Sequence, residues 1–215
     1  MKQLYYGPGN ASLAPHIVLE ESGLPFTLKL VDRAGGELNS PAYRKLNPNG
    51  LIPVFVDGDQ VMFEATAICL HVAEQAAGKA LAPPVGSAER MAYLQWMVWL
   101  SNTLQAMLMQ YFHPTRMVDE GDANAADQVK RQAEARTGAL LDLLDAHFTA
   151  HGGPWLLGAT YSTADAYAFM LCRWSRGFAR PARALPNLGP FLERMLARPA
   201  VQAVLAREGL SAPYV

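Results

Sequence analysis

The stretch Val54-Phe55-Val56-Asp57-Gly58-Asp59-Gln60-Val61-Met62-Phe63-Glu64 decides the fold. Two runs of β-branched and aromatic residues flank Asp57-Gly58-Asp59, and an Asp-Gly pair supplies the positive φ angles that a tight hairpin needs. The spacing predicts a β-hairpin followed by a helix over about 64–77, ending at Ala77. Upstream, a loop over 33–49 separates this ββα unit from an earlier one. There residues 3–6 read as a strand, Ser12-Leu13-Ala14-Pro15 opens a helix that Gly23 and Pro25 stop, and 26–31 read as a second strand. Strand, helix and strand this close in sequence imply a right-handed crossover and parallel pairing. The order βαβ then ββα predicts a small mixed sheet, part parallel and part antiparallel.

Downstream, Gly78-Lys79 and the run Ala82-Pro83-Pro84-Val85-Gly86-Ser87 punctuate the chain. They divide it into a first domain over 1–78, a linker over 79–87 and an all-helical domain over 88–215, an α/β plus all-α architecture. In the second domain Met91, Leu94, Val98, Ser101, Leu104 and Leu108 form one helical stripe, and Val129, Ala133, Leu140, Leu141, Leu144 and Phe148 another. Ser162-Thr163-Ala164-Asp165 has the form of a capping box, with Asp in place of the usual Glu or Gln, and starts a helix that runs through Trp174. Two shorter helices, over 187–197 and 200–208, finish the chain, with Pro199 forcing a break between them.

The chain of 215 residues is 51% hydrophobic and 17% charged, enough apolar material for buried cores and too much for a disordered tail. A net charge of -1 leaves no field to draw in nucleic acid or an anionic membrane. Cys69 and Cys172 lie far apart in apolar stretches, which argues against a disulfide framework or a CxxC motif and fits a reducing cytoplasm. No apolar segment follows the N-terminal charge as in a signal peptide, and Ser101, Asn102, Thr103 and Gln105 interrupt the most hydrophobic stretch, so no membrane span is expected. His147 and His151 are i,i+4 neighbours without a third ligand; they read as partners of a helix C-terminus, and no metal is expected. Arg116, Arg131, Arg173, Arg176, Arg180 and Arg183 form no dense run and read as solvated or carboxylate-paired.

Four motifs in order carry a family resemblance: Leu4-Tyr5-Tyr6-Gly7-Pro8-Gly9 with Ser12-Leu13-Ala14-Pro15-His16; Asn47-Pro48-Asn49-Gly50-Leu51-Ile52-Pro53; Phe63-Glu64-Ala65-Thr66-Ala67-Ile68; and Trp155-Leu156-Leu157-Gly158 with residues 162–167 and Arg173-Trp174. Over nearly the whole chain the sequence resembles the cytosolic glutathione transferases, and most closely the bacterial beta class. The resemblance implies a thioredoxin-like first domain that binds glutathione as co-substrate, a helical second domain that carries the electrophile pocket, and a two-fold homodimer. It implies a transferase that activates the glutathione thiol for attack on a small apolar electrophile, as in detoxification. Two other readings stay open: a glutathione-dependent disulfide reductase, and a non-catalytic regulatory protein of the same fold.

By the same resemblance Ile52-Pro53 is a cis peptide whose backbone pairs with the cysteinyl part of glutathione. Glu64 receives the γ-glutamyl ammonium, Ala65 and Thr66 at the start of its helix hold the carboxylate, and Asn49 joins the site. Glu64 also has a plain reading, as complement to a helix dipole. The beta-class cysteine is replaced by Ala11 and its histidine aligns with Gln105, which puts mixed-disulfide chemistry in doubt. Thiolate stabilisation then falls to Ser12, Asn10 or Tyr6, near the first helix N-terminus. Each has a structural alternative: Ser12 as an N-cap, Asn10 as a turn former, Tyr6 as sheet packing. The electrophile pocket is expected between Gly7, Gln105, Met107, Leu108, Tyr111, Phe112 and Trp174, with flexible thioethers adding adaptability.

Overall fold

A computed structural model describes residues 1–76 and 78–215; Ala77, the expected last residue of the third helix, lies outside the described residues. Four strands, β1 (Lys2–Tyr6), β2 (Phe26–Leu30), β3 (Val54–Asp57) and β4 (Gln60–Phe63), form one sheet in the order β2-β1-β3-β4. β1 runs parallel to β2 and antiparallel to β3, and β3 pairs with β4 as the hairpin. The hairpin turn is built differently from the expectation. Asp57 still pairs with Gln60, so the two central residues are Gly58 and Asp59, and of these only Gly58 has positive φ, at 61°. One positive φ at the first central position needs Gly there and tolerates Asp after it.

The helix α1 (Leu13–Ser22) crosses from β1 to β2 and stops at Gly23, whose φ of 70° closes the last turn. The expected loop over 33–49 holds a helix, α2 (Pro41–Leu46). Its signal was in the sequence as Ser40-Pro41: the Ser40 hydroxyl accepts from the Tyr43 amide, and proline suits the first helical position, where no N–H is needed. The first domain closes with α3 (Ala65–Gln75).

The helical part comprises α4 (Ala88–Trp99), a π-helical stretch Leu100–Gln105, α5 (Ala106–Phe112), α6 (Ala123–His151), α7 (Thr163–Trp174), α8 (Leu188–Leu196) and α9 (Pro199–Arg207). Every residue of α7 is buried, with α1, α3, α4 and α8 against it, so this helix is the axis of the second core and its seam with the first domain. Asp165 reaches back as expected: its carboxylate accepts from Ser162 N at 2.8 Å and also from Leu156 N at 2.7 Å. Pro199 is the first residue of α9 rather than a spacer ahead of it.

Two expectations fail here. On α4 the buried face is Tyr93, Trp96, Met97 and Leu100, whereas Met91, Leu94 and Val98 are exposed, Met91 by 78%. The helix is apolar on two sides, and periodicity alone does not say which side packs; the larger aromatic surface turned inward. His151 does not serve as a cation at the end of α6, and the His147 ring bonds a carbonyl beyond the helix. His147 Nε2 bonds the Leu156 carbonyl at 2.8 Å, and His151 Nδ1 accepts from the Gly153 amide at 2.9 Å. Burial, with His147 beside it, pushes the His151 pKa down, which favours the neutral ring that can accept.

A buried polar group ties the two parts. The Glu208 carboxylate accepts from Gly9 N at 2.7 Å and meets His16 Nδ1 at 2.8 Å, and the Trp174 indole N–H donates to the Gly9 carbonyl at 3.1 Å. The C-terminal helices thereby fix the loop between β1 and α1.

Candidate active site

That loop, Gly7 to Ser12, is the first wall of the site. Ser12 is fully buried, and its hydroxyl donates to the Gly7 carbonyl at 3.1 Å and receives the Gly7 amide at 3.2 Å. Ser12 stands at the N-cap position of α1 as expected, but its hydroxyl makes no capping bond and faces no open space. Asn10 does line the cleft: Oδ1 takes the Ala11 amide at 2.7 Å, and the side-chain NH2 has no partner among the described residues. Tyr6 packs its ring 6.2 Å from that of His16, away from the cleft. Gly7 is wedged shut, because a Cβ there would lie 2.7 Å from Ile52 Cδ1.

The second wall is the segment before β3. Buried Asn47 clamps it, donating from Nδ2 to the Leu51 carbonyl at 2.8 Å and accepting the Asn49 amide at 3.0 Å, while the Tyr43 hydroxyl holds the same Leu51 carbonyl. Gly50 turns the corner at φ 62°, with the Leu38 carbonyl only 2.8 Å from where a Cβ would stand. The Ile52–Pro53 bond is cis. Ile52 N–H and C=O bond no other backbone group among the described residues, although β3 starts two residues later. Glu64 then enters α3 at φ 75°, the single non-glycine with positive φ among the described residues. Backbone of this kind is held by its surroundings and concentrates at ligand sites.

The third wall comes from the other domain. Gln105 and Ala106, where the π-helical stretch meets α5, then Met109, His113 and Arg116 at spacings of three to four residues, line the cleft. Gln105 is fixed by the Tyr167 hydroxyl, which donates to its Oε1. The three walls enclose a cavity of about 720 Å³.

Asn10, Asn49, Ile52, Pro53, Glu64, Ala65 and Gln105 from the sequence reading all line this cavity. Thr66 does not, but its hydroxyl is buried without a partner among the described residues. Ser12, Tyr6 and Gly7 stand behind the wall. The expected pocket residues on α5 point the other way: Leu108 is fully buried in the core, Tyr111 stacks 4.5 Å from Phe178, and Phe112 lies edge-on to Trp174 at 6.0 Å. Met107 and Trp174 are likewise off the cavity. The face that does line it was legible as the spacing Gln105, Met109, His113, Arg116, a mixed polar stripe that an apolar template passes over.

The cavity's charge was not legible. Arg33, Arg44 and Arg116 line it, with Glu64 as the one carboxylate on its wall among the described residues. Arg116 is exposed, as the solvated reading has it, lines this cavity and bonds no carboxylate among the described residues. Burial, with the charges of Arg116 and Arg33, lowers the His113 pKa, which favours a neutral ring. Both cysteines are free and buried outside the cavity; burial pushes the Cys172 thiol up to about 12 and Cys69 higher still. No group of three His, Cys, Asp or Glu among the described residues is arranged to hold a metal.

A mixed four-stranded domain joined to an all-helical one, with a cleft between them, defines a thioredoxin-like domain fused to a helical one. Residues 11–75 match the model of the glutathione S-transferase N-terminal domain and residues 109–208 that of its C-terminal domain. The chain belongs to the cytosolic glutathione S-transferase superfamily. It is 34% identical over 97% of its length to glutathione S-transferase GST-4.5 of Xanthomonas campestris, all of which is covered. A sphingomonad glutathione S-transferase solved with glutathione superposes with a TM-score of 0.82 at 30% identity, over 97% of this chain and 100% of that one. A glutathione transferase homologue from Sulfitobacter with bound glutathione superposes at 0.88 and 28% identity, over 98% and 99%. Among the described residues no helix is long and apolar enough to cross a membrane.

Proposed function

We propose that this protein is a glutathione transferase that holds glutathione along the Asn10, Ile52 and Glu64 walls and activates its thiol with Asn10. The observation that carries the reading is the convergence on one cavity of the unpaired Ile52 backbone, the φ 75° carboxylate of Glu64 and the free side-chain NH2 of Asn10. The Ile52 backbone pairs with the cysteinyl residue in the manner of an added strand. Glu64 takes the ammonium, while the start of α3, with the orphaned Thr66 hydroxyl, takes the adjacent carboxylate. Arg44, pinned by the Pro48 carbonyl and Asn39, meets the glycine carboxylate beside Asn49.

Asn10 is favoured over Ser12 and Tyr6 because a donor must reach the thiolate. The Ser12 hydroxyl proton is already given to Gly7, and Tyr6 points elsewhere. With both cysteines buried and their thiols held protonated, the nucleophile is glutathione's own, and the chemistry is activation plus proximity without a protein thiol. The electrophile enters against Gln105, Ala106 and Met109.

The chain works as a homodimer. Met91, Leu94 and Val98 make an exposed apolar face on α4, and Val61 is exposed on the edge strand β4, surfaces that a two-fold partner would cover. Leu94→Glu is expected to give monomers in sedimentation.

Calorimetric titration with glutathione, paired with ultraviolet detection of bound thiolate against pH, tests the central reading. Tight binding with a depressed thiol pKa supports it. Binding with an unshifted thiol favours a glutathione sensor, and no binding sinks the transferase reading.

A further inference from the structure

We infer that the second substrate of this cavity carries a carboxylate, bound between Arg33 of the first domain and Arg116 after α5. The inference rests on the glutathione site proposed above and adds to it the charge of the electrophile.

Charge bookkeeping on the walls leads there. Glutathione brings one ammonium and two carboxylates, which Glu64, the α3 start and Arg44 answer. Arg33 and Arg116 are left over: both line the cavity, and neither meets a carboxylate among the described residues. They come from the two domains, both are exposed, and both line the cavity with His113, whose pKa their charges help to lower. Two guanidinium groups facing one cleft repel, and an anion placed between them gains from both.

The position is chemically useful. The Arg33 Cδ and Asn10 Cβ flank the same point above Gly7, at 3.5 and 3.9 Å from where a Cβ would stand. A carboxylate held by Arg33 therefore lies beside the group that activates the thiol. The rest of the electrophile would rest on Ala106 and Met109, a small apolar floor suited to an aryl or alkenyl group. A haloaryl or α,β-unsaturated acid fits this combination. With a chloronitrobenzoate, sulfur attacks the ring carbon that bears chlorine, the C–S bond forms as C–Cl breaks, chloride leaves with the electron pair, and the thiol proton passes to solvent.

The test compares two matched probes, 4-chloro-3-nitrobenzoate and 4-chloro-3-nitrobenzamide, and their preformed glutathione conjugates. The carboxylate conjugate is expected to bind about tenfold tighter than the carboxamide conjugate, and the acid to be turned over with a correspondingly higher kcat/KM after correction for the uncatalysed rates. Arg116→Gln and Arg33→Gln should each collapse the preference, Arg116→Lys should keep part of it, and glutathione affinity should stay within about threefold in all three. Equal affinity of the two conjugates, failure of both to bind, or a preference that survives both glutamine variants overturns the inference. So does a tenfold loss of glutathione affinity in both, since the two cations would then serve glutathione itself. A glutathione stoichiometry of two per chain that falls to one in Arg116→Gln supports the anion site and names a second glutathione as its occupant. Failure of wild type to bind glutathione at all is read in the same titration and strikes the proposed function instead.

Discussion

The Gly9 amide donates to Glu208 Oε2 at 2.7 Å, across 199 positions of sequence. The other carboxylate oxygen meets His16 of α1, and both side chains are fully buried. One residue at the end of α9 thus holds the loop that presents Asn10 to the cavity. Glu208→Ala leaves Gly9 N–H and His16 Nδ1 without a partner and is expected to cost about 2 kcal/mol of stability in urea unfolding. Amide hydrogen exchange at Gly9 should quicken even under conditions where the rest of the fold stays protected.

Asn10→Ala and Ser12→Ala separate activation from architecture. Asn10→Ala removes the free donor and should raise the pKa of bound glutathione, visible as loss of thiolate absorbance at neutral pH, with melting temperature little changed. Ser12→Ala breaks the Gly7 clamp and should lower stability by about 1 kcal/mol with the thiol pKa held. The reverse pattern would transfer the role to Ser12.

Glu64 pays in stability for its position. At φ 75° a glycine is at ease and a glutamate is not, so Glu64→Gly is expected to unfold at a higher denaturant concentration, by about 1 kcal/mol. The same variant, and Glu64→Gln, should weaken glutathione binding by roughly tenfold or more, because the ammonium loses its counter-charge.

Asp165 sets a pH signature. Burial raises its carboxyl from 3.8 to about 6, against the hydrogen bonds from Leu156 and Ser162 that favour the charge. A carboxyl raised by folding contributes stability that is fully present below the unfolded value and is lost as pH rises through the folded one. The stability of wild type relative to Asp165→Asn should therefore fall between about pH 4 and 6 and level off above, in melts taken at each pH. Asp165→Ala, which strips two buried amides of their acceptor, should be less stable than Asp165→Asn at every pH in that range, and its cost relative to wild type should shrink from pH 4 to 6 in the same way.

Much of the fold is local and was readable as such. The hairpin, the crossover, the stop at Gly23 and the box at Ser162 and Asp165 each depend on neighbours within a few residues, where turn chemistry and capping act. The misreadings share a cause. Ser12 has the sequence of an N-cap, yet its hydroxyl is taken by Gly7; α4 has two apolar faces, and the choice between them belongs to whatever packs against it.

The sequence by itself determined most of the strands and helices and the two-part α/β and helical organisation, while it was the resemblance to a family that put Ile52, Pro53, Glu64 and Asn10 in one site. It could do so because periodicity, turn residues and motif spacing are properties of short segments. Only the tertiary structure decided that Asn10 and not Ser12 faces the cleft, that Gln105, Met109 and His113 rather than Leu108, Tyr111 and Phe112 form the far wall, and that Arg33 and Arg116 line the same cavity. Those outcomes depend on the rotation of α5 and on contacts between residues some eighty positions apart, and no segment of sequence carries either.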